Sequence, residues 1–234
     1  MENKRLAIIT ARGGSKRIPG KNVKSFCGKP IIAYSICAAL ESGLFTEVMV
    51  STDSEEIAKI ARQYGAKVPF MRSEKTSDDY AATSDVILEV IERYQSLGRT
   101  FDYICCIYPT APFITAEKLK EAMRLMETEH PVQVMPVVAF SYPPQRCFVA
   151  DKDGSIKYKY KEYMRSRSQD LETWYHDAGQ FYVYHTEKYV SLGGNISEQI
   201  MPIFVSELQV QDIDNEEDWQ IAELKYQLMN RKKE

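Results

Sequence analysis

The fold of this chain is decided by residues 6–22, which read LAIITARGGSKRIPGKN. The four apolar residues 6–9 predict a short buried strand, and the glycines and cations after them predict a loop at its carboxyl end. Glycines let backbone N–H groups approach a ligand closely, and the flanking cations neutralise a polyanion. The stretch therefore predicts a strand that opens into a site for a phosphorylated small molecule.

The charge around this loop is strongly one-sided. Between Glu2 and Glu41 the sequence has eight lysines and arginines and no acidic residue, although the 234-residue chain carries a net charge of −3. A net acidic chain argues against general nucleic-acid binding, which depends on a broad basic surface. A solvated basic turn is the alternative interpretation, but an acid-free window of this length favours a polyanion site.

Composition predicts an ordinary globular domain with its own core. Hydrophobic residues make up 44% and charged residues 27% of the chain, and its length suits one large domain with room for an insertion. Five cysteines without C-x-x-C spacing are interpreted as free thiols in a reducing compartment. The longest largely apolar stretch, residues 31–40, is too short to span a bilayer. We therefore expect no membrane segment and a cytoplasmic location.

Strands and helices alternate through the first 130 residues. Apolar runs at 6–9, 48–50, 68–70 and 103–107 predict buried strands, and apolar stripes at 57–64 and 86–94 predict helices. Thr52 and Glu55 are placed as a capping box for the first of these helices. This alternation predicts an α/β fold with a mostly parallel sheet covered on both faces. Ligands of such sheets bind at the carboxyl ends of the strands.

The pattern changes at about residue 141. Residues 141–174 are rich in Tyr, Lys and Arg and predict an irregular insertion with a hairpin that turns at Asp153-Gly154. Beyond it we predict strands at 181–184 and 203–205, and a final helix from about Asn215 with Ile221, Leu224 and Leu228 on one face.

The cationic loop is neither of the two common nucleotide-binding loops. It lacks the G-x-x-x-x-G-K-[ST] spacing of a Walker A motif and the G-x-G-x-x-G of a dinucleotide fold. Its basic residues are distributed along the loop, so they are able to contact several phosphates of one triphosphate. Arg12 offers a planar fork for phosphate oxygens, and the lysines act as mobile point charges.

Asp212-Ile213-Asp214 is a candidate metal site. Alternation places both carboxylates on one side of an extended segment, where they are able to share a divalent cation with substrate phosphates. The alternative is structural, because Asp214 is also well placed to cap the last helix with Glu217 at its third position. Capping leaves Asp212 unexplained, and spacing by itself does not choose between the two.

Two polar segments are candidates for substrate recognition. Residues 175–182 read YHDAGQFY, which favours sugar binding over a Ser/His/Asp hydrolase because no G-x-S-x-G elbow is present. Residues 108–113, YPTAPF, follow a buried strand and form either a rigid binding loop or a simple turn. Arg72 and Thr83 flank a polar loop, residues 78–82, that is placed to meet a base.

Five segments together resemble the cytidylyltransferases that activate nonulosonic (sialic-type) acids. They are residues 11–22, 26–30, 105–113, 167–170 and 175–182, and the later ones look most like the pseudaminic acid branch. The resemblance covers nearly the whole chain. It implies one Rossmann-like nucleotidyltransferase domain over residues 1–234, an insertion at about 141–174 that forms a homodimer and contacts substrate, and Mg²⁺ as cofactor.

The resemblance also implies roles for individual residues. Catalysis falls to Arg12, Lys21, Asp212 and Asp214, of which the two aspartates hold the metal. Nucleotide binding falls to Arg12, Gly13, Gly14, Ser15, Lys16, Arg17, Lys21, Asn22, Arg72, Ala82 and Thr83. Sugar-acid binding falls to Tyr108, Arg167, Gln169, His176, Asp177, Gln180 and Phe181. At Tyr108 the sialic acid enzymes carry glutamine, and a phenol does not offer an amide's paired donor and acceptor.

The expected reaction is transfer of CMP from CTP to a nonulosonic acid, giving the CMP-sugar and pyrophosphate. Pseudaminic acid is the expected acceptor, with N-acylneuraminate or legionaminate as alternatives. Two other classes stay open: a glycosyltransferase that uses a finished nucleotide sugar, and a non-catalytic nucleotide-binding protein. Pyrophosphate release from CTP with a sugar acid distinguishes these classes.

Overall fold

The computed structural model describes residues 3–78 and 80–231, so Asp79 of the predicted polar loop lies outside the described residues. Its strands are β1 (Arg5–Thr10), β2 (Ser25–Phe26), β3 (Lys29–Pro30), β4 (Glu47–Ser51), β5 (Tyr103–Ile107), β6 (Gln133–Ala139), β7 (Phe148–Ala150), β8 (Ile156–Tyr158), β9 (Tyr175–Asp177), β10 (Phe181–His185) and β11 (Ile200–Phe204). Its helices are α1 (Ile32–Ser42), α2 (Glu55–Gln63), α3 (Thr83–Ser96), α4 (Ala116–Glu129), α5 (Thr186–Ser191) and α6 (Glu216–Arg231). None of these helices is both long and apolar enough to cross a bilayer.

The central sheet has the strand order β11-β6-β10-β5-β1-β4, and β9 pairs with β6. β1 is parallel to both β4 and β5, and β6 is parallel to β11. β10 is antiparallel to β5 and β6, and β9 is antiparallel to β6. Five strands thus run one way and two the other, which confirms the predicted mostly parallel α/β sheet.

Side chains alternate between two hydrophobic layers, one on each face of the sheet. Cys105 packs with α1, α2 and α4 on one face, and Cys106 packs with α3 and α5 on the other. Residues 6–9 of β1 are fully buried and divide between the same two layers. Burial on both faces explains why these strands are continuous apolar runs rather than alternating ones.

Two local predictions in the first half are wrong. Residues 68–70 do not form a strand: the pairing there is a single parallel bridge between Met49 and Lys67, because Pro69 has no N–H to extend the ladder. α2 is capped by Ser54, whose hydroxyl accepts from the backbone N–H of Ile57 at 3.4 Å. The Thr52 hydroxyl instead accepts from the Ser54 N–H, so the predicted box of Thr52 and Glu55 does not form.

The second half follows its predicted outline. β7 and β8 form the expected hairpin, and Gly154 adopts the positive φ of 85° that its turn requires. Asn215 directly precedes α6, as predicted. The buried face of α6, however, carries Trp219 and Ala222, whereas the predicted stripe of Ile221, Leu224 and Leu228 is exposed.

Glu47, at the start of β4, is a buried carboxylate that forms ion pairs with two cations. It accepts hydrogen bonds from Lys67 and Arg99, each at 2.9 Å, and from the hydroxyl of Tyr94. Burial alone would raise the pKa of Glu47, but these bonds outweigh it and hold the pKa below its ordinary value of 4.5. Its contribution to stability is therefore complete above that value and is lost as pH falls through the folded pKa.

We predict that Glu47→Gln lowers the free energy of unfolding by about 1–3 kcal/mol at pH 7, because charged hydrogen bonds are lost inside the fold. The difference from the wild type should narrow as pH falls below 4.5 and through the lowered folded pKa, because protonation removes the charge of the wild-type carboxylate. Urea unfolding at a series of pH values measures both effects. If the two proteins differ in free energy of unfolding by the same amount at every pH, the stabilising role assigned to the Glu47 carboxylate is wrong.

Candidate active site

A cleft of about 530 Å³ opens at the carboxyl ends of β1, β4 and β5, where parallel sheets bind their ligands. Its lining comes from the cationic loop, the polar loop before α3 and the segment after β5. The lining residues are Thr10, Arg12, Ser15, Lys16, Arg17, Lys21, Asn22, Arg72, Thr76, Asp78, Ala81, Thr83, Val86, Tyr108, Pro109 and Thr110. The structure therefore brings most of the predicted nucleotide ligands together around one space.

Polar contacts fix the shape of the cationic loop. The Gly13 N–H donates to Asp53 Oδ1 at 2.7 Å, and Asn22 Nδ2 donates to the Arg12 carbonyl at 2.8 Å. A Cβ on Gly13 would lie 3.1 Å from Cβ of Ser54, so only glycine fits there without a shift. Asp53 anchors this loop through a contact across 40 residues, which local sequence patterns do not reveal.

The cations and the aspartate pair meet at the same edge of the cleft. Lys21 Nζ donates to the carbonyl of Ile213 at 2.7 Å, and the Arg17 guanidinium lies 2.6 Å from Asp214. Burial lowers the pKa of Lys21, while the nearby carboxylates of Asp214 and Asp212 act in the opposite direction. Two segments about 190 residues apart in sequence therefore form one mixed-charge surface.

Asp212 and Asp214 flank a buried residue in a segment without regular secondary structure. Ile213 between them is 1% exposed and packs with Ile18 and Trp219 in a third hydrophobic cluster, which turns both flanking carboxylates away from the core. Two carboxylates presented side by side are the kind of oxygen ligands that Mg²⁺ takes together with substrate phosphates.

The helix-cap interpretation of Asp214 is wrong. Asn215 caps α6, since its Oδ1 accepts from the Asp218 N–H at 3.0 Å. Asp218 Oδ2 in turn accepts from the N–H groups of Asn215 and Asp214, at 3.1 and 2.9 Å. These reciprocal bonds satisfy the helix start, and the side chain of Asp214 is left to pair with Arg17.

Arg72 and Thr83, the two residues predicted to meet a base, also line the cleft. Arg72 is buried and braced by Ser51, with Nε to Oγ at 3.1 Å and Nη2 to the carbonyl at 2.6 Å. Thr83 begins α3 and lines the cleft, whereas Ala82 is the residue before the helix and does not line it. Gly14 is exposed and also lies outside the lining.

The predicted sugar-binding residues do not gather in one place. Tyr108 lines the cleft, and Asp177 lines a cavity beside it. His176 is exposed, packs against Phe140 with tilted rings 4.8 Å apart, and lines a smaller cavity that Asp212 shares. Arg167 and Gln169 are exposed in the insertion and do not line the cleft.

Gln180 and Phe181, predicted to bind the sugar acid, line neither the cleft nor the cavity beside it. Phe181 is fully buried in β10 and packs in the core layer of α1 and α4. The Gln180 side chain is also buried, and its Nε2 donates to the carbonyl of Gln209 at 2.6 Å, which ties β10 to the segment before the aspartate pair. Because alternate strand residues face opposite ways, Tyr182 rather than Phe181 lines the cavity beside the cleft.

A second cavity of about 310 Å³ adjoins the nucleotide cleft and shares Thr83 and Tyr108 with it. Much of its wall comes from residues that sequence analysis missed: Gln133, Met135, Tyr184 and Tyr189. They lie on β6, β10 and α5, so no single motif unites them. The alternating tyrosines of FYVYH at 181–185 were the available sign that one strand face is polar and aromatic.

Comparisons with known proteins agree with this geometry. The cytidylyltransferase family model matches residues 6–199. Pseudaminic acid cytidylyltransferase of Campylobacter jejuni is 42% identical over 96% of this chain and 97% of its own length. CMP-N,N'-diacetyllegionaminic acid synthase of Legionella pneumophila is 36% identical over 93% and 94%.

Among solved structures, CMP:2-keto-3-deoxy-manno-octonic acid synthetase complexed with CTP shares the fold. Its TM-score is 0.70 at 18% identity, over 98% of this chain and 99% of that one. The fold and the cleft are consistent with the sequence matches, which show that the chain belongs to the cytidylyltransferase family.

Proposed function

We propose that this protein transfers CMP from CTP to a nonulosonic acid, with pseudaminic acid as the acceptor. The observation that carries the proposal is the contact of Lys21 Nζ with the Ile213 carbonyl, because it puts the cationic loop and both aspartates beside one cleft. The two pseudaminic acid enzymes of Campylobacter jejuni, at 41–42% identity, support this acceptor over legionaminate and neuraminate.

In the proposed reaction the anomeric hydroxyl of the sugar acid forms a bond to the α-phosphorus of CTP, and the bond to the β-phosphate oxygen breaks. The hydroxyl loses its proton, and pyrophosphate leaves in line. Arg12 and Lys21 would serve the α-phosphate and the bridging oxygen, and Lys16 and Arg17 the β- and γ-phosphates. Fixed cations stabilise the charge that develops on the leaving group without reorganising during the reaction.

Asp212 and Asp214 fit a Mg²⁺ ion as oxygen donors on one side of the chain, with substrate phosphate oxygens completing its shell. When bound, such an ion neutralises phosphate charge and increases the acidity of a hydroxyl that it contacts. In the structure the Asp214 carboxylate forms an ion pair with Arg17 at 2.6 Å. Binding of the triphosphate would give Arg17 a new partner and release that carboxylate for the metal.

The base would lie between Arg72 and Thr83, and the sugar acid in the second cavity, past Tyr108. This arrangement favours a cytidylyltransferase over a glycosyltransferase, which would need its D-x-D in mid-chain after a nucleotide-binding strand. It also favours an enzyme over a non-catalytic binder, because the proposed metal ligands are present. A reaction that consumes CTP is expected in the cytoplasm.

The decisive assay measures pyrophosphate release from CTP with a panel of purified sugar acids. We expect release with pseudaminic acid in the presence of Mg²⁺, weaker release with legionaminate or neuraminate, and little with UTP or ATP in place of CTP. Release with legionaminate alone would show that legionaminate, not pseudaminic acid, is the acceptor. Absence of release with every acid would overturn the proposed function.

We also propose that the insertion pairs two copies of the chain. Its hairpin exposes Phe148 and Ile156, at 50% and 64%, on the face that the Phe148–Tyr158 and Ala150–Ile156 pairs share. Apolar side chains at such exposure are typical of an interface. Arg167 and Gln169 lie outside this chain's own cleft, and a dimer would let them serve the partner's site.

Replacing both Phe148 and Ile156 with lysine is therefore expected to convert a dimer into a monomer and to lower activity at low protein concentration. Sedimentation equilibrium and activity as a function of enzyme concentration measure the two effects. A matched variant, Leu224→Lys with Leu228→Lys on the exposed face of α6, should leave the mass unchanged. A wild type that sediments as a monomer at micromolar concentration would contradict the proposed dimer.

A further inference from the structure

The second cavity extends from the nucleotide cleft down one face of the sheet. Tyr108, Thr83 and Asp177 lie at its upper end. Gln133 and Tyr184 lie deeper, and they pair directly across β6 and β10. Tyr184 is two residues beyond Tyr182 along β10, which corresponds to roughly 7 Å of strand. A ligand that reaches Gln133 must therefore be long, with its reactive end at Tyr108.

Three buried polar groups in this cavity are poorly partnered. Gln133, Tyr184 and Tyr189 are 7%, 8% and 2% exposed. Among the described residues, the side chain of Gln133 makes one hydrogen bond, from Nε2 to the thioether sulfur of Met135 at 3.2 Å, and sulfur is a weak acceptor. The hydroxyls of Tyr184 and Tyr189 have no hydrogen bond to any residue that the structure describes.

A polar side chain that lines a cavity without a strong protein partner is available to a ligand. Tyr182, on the same face of β10, shows the ordinary arrangement: its hydroxyl donates to Asp177 Oδ2 at 2.6 Å. Burial raises the pKa of Tyr184 and of Tyr189, so both remain neutral hydroxyls that are able to donate. The side chains of Gln133, Tyr184 and Tyr189 thus surround one space and are able to form further hydrogen bonds there.

Part of the remaining wall is apolar. Ile196 and Ile200 line it together with Met135. Gly194 lets the loop come close, since a Cβ there would lie 2.8 Å from Cβ of Ser84 and 3.0 Å from the hydroxyl of Tyr189. Its φ of 76° also favours glycine. The deep end therefore combines an amide, two hydroxyls and a small apolar surface.

We propose that the deep end of this cavity binds an N-acyl substituent of the acceptor, and that Gln133 and Tyr189 determine specificity for it. An acylamino group has an N–H donor, a carbonyl acceptor and an apolar methyl group. The Gln133 amide matches the first two reciprocally, the hydroxyls of Tyr184 and Tyr189 add donors to the carbonyl, and the methyl group fits against Met135, Ile196 and Ile200. A hydroxyl or an ammonium at that position would use only part of this set.

The inference rests on the proposed function, and it is tested by substrate discrimination. The assay compares kcat/KM for the N-acylated sugar acid with kcat/KM for the same acid after removal of its acyl groups. The wild type should prefer the acylated acid by about 10–100-fold, since each neutral hydrogen bond contributes roughly tenfold. Gln133→Leu and, separately, Tyr189→Phe should reduce that preference about tenfold, with the KM for CTP unchanged.

Tyr103→Phe is the matched control, because Tyr103 is a buried tyrosine of β5 that packs in the opposite core layer. It should keep the wild-type preference. Equal losses for both acids in Gln133→Leu and Tyr189→Phe, or no change in preference, would overturn the inference while the wild type still turns over. A wild type that releases no pyrophosphate with any acid would instead refute the proposed function, and this inference with it.

Discussion

Arg12→Ala is expected to lower kcat with CTP by about 10²–10³-fold, equivalent to about 3–4 kcal/mol of transition-state stabilisation. Arg12 leaves the end of β1 directly into the cleft, and its Nη1 donates to the carbonyl of Asp78 at 3.0 Å. Asn22 fixes the backbone carbonyl of the same residue at 2.8 Å. The guanidinium is thereby held beside the proposed position of the α-phosphate, so its loss should affect the chemical step more than CTP binding.

Steady-state kinetics with saturating acceptor measures this prediction, and two further variants sharpen it. Arg12→Lys keeps the charge but loses the planar fork, so an intermediate loss is expected. Arg62→Ala removes an arginine of α2 that is 52% exposed and paired loosely with Glu55 at 4.0 Å, and it should leave kcat unchanged. Near wild-type turnover of Arg12→Ala would refute the role that we assign to this residue.

Local sequence patterns predicted the parts of the site that are contiguous in the chain. The apolar run of β1 and the cations after it lie where predicted, because the burial of a strand and the charge of a loop both depend on residues that are neighbours in sequence. The meeting of Lys21 with Ile213 is different, since it depends on where residue 213 returns in the fold. Only the resemblance, not the spacing, favoured Asp212 and Asp214 as partners of that loop.

The errors have a common cause. Periodicity shows which residues share one face of a helix or strand, but it does not show what that face packs against. Ile221, Leu224 and Leu228 form a stripe on α6, yet Trp219 and Ala222 are the residues that pack against the core. The deep cavity was missed for the same reason. Gln133 is polar and begins β6, but its environment is made by β10, α5 and the loop at residues 193–196.

Asp212→Asn and Asp214→Asn are each expected to lower Mg²⁺-dependent kcat by on the order of 10²-fold, because each removes a negative oxygen donor from the proposed metal site. Binding provides a second measurement that does not require turnover. CTP with Mg²⁺ should raise the melting temperature of the wild type more than CTP with a chelator does, since a ligand of the folded state stabilises it. In both variants the two conditions should give nearly the same shift.

Two variants separate a metal role from a structural one. Asp218→Ala breaks the reciprocal cap with Asn215, so it should cost about 1 kcal/mol of stability and keep the Mg²⁺-dependent shift. Arg17→Ala removes the cation that lies 2.6 Å from Asp214, so it should weaken CTP binding while lowering the Mg²⁺ concentration needed for half-maximal effect. If Asp212→Asn keeps the full Mg²⁺ response, the paired aspartates are not the metal ligands, and the charge that Lys21 and Arg17 meet there serves only to position the loop.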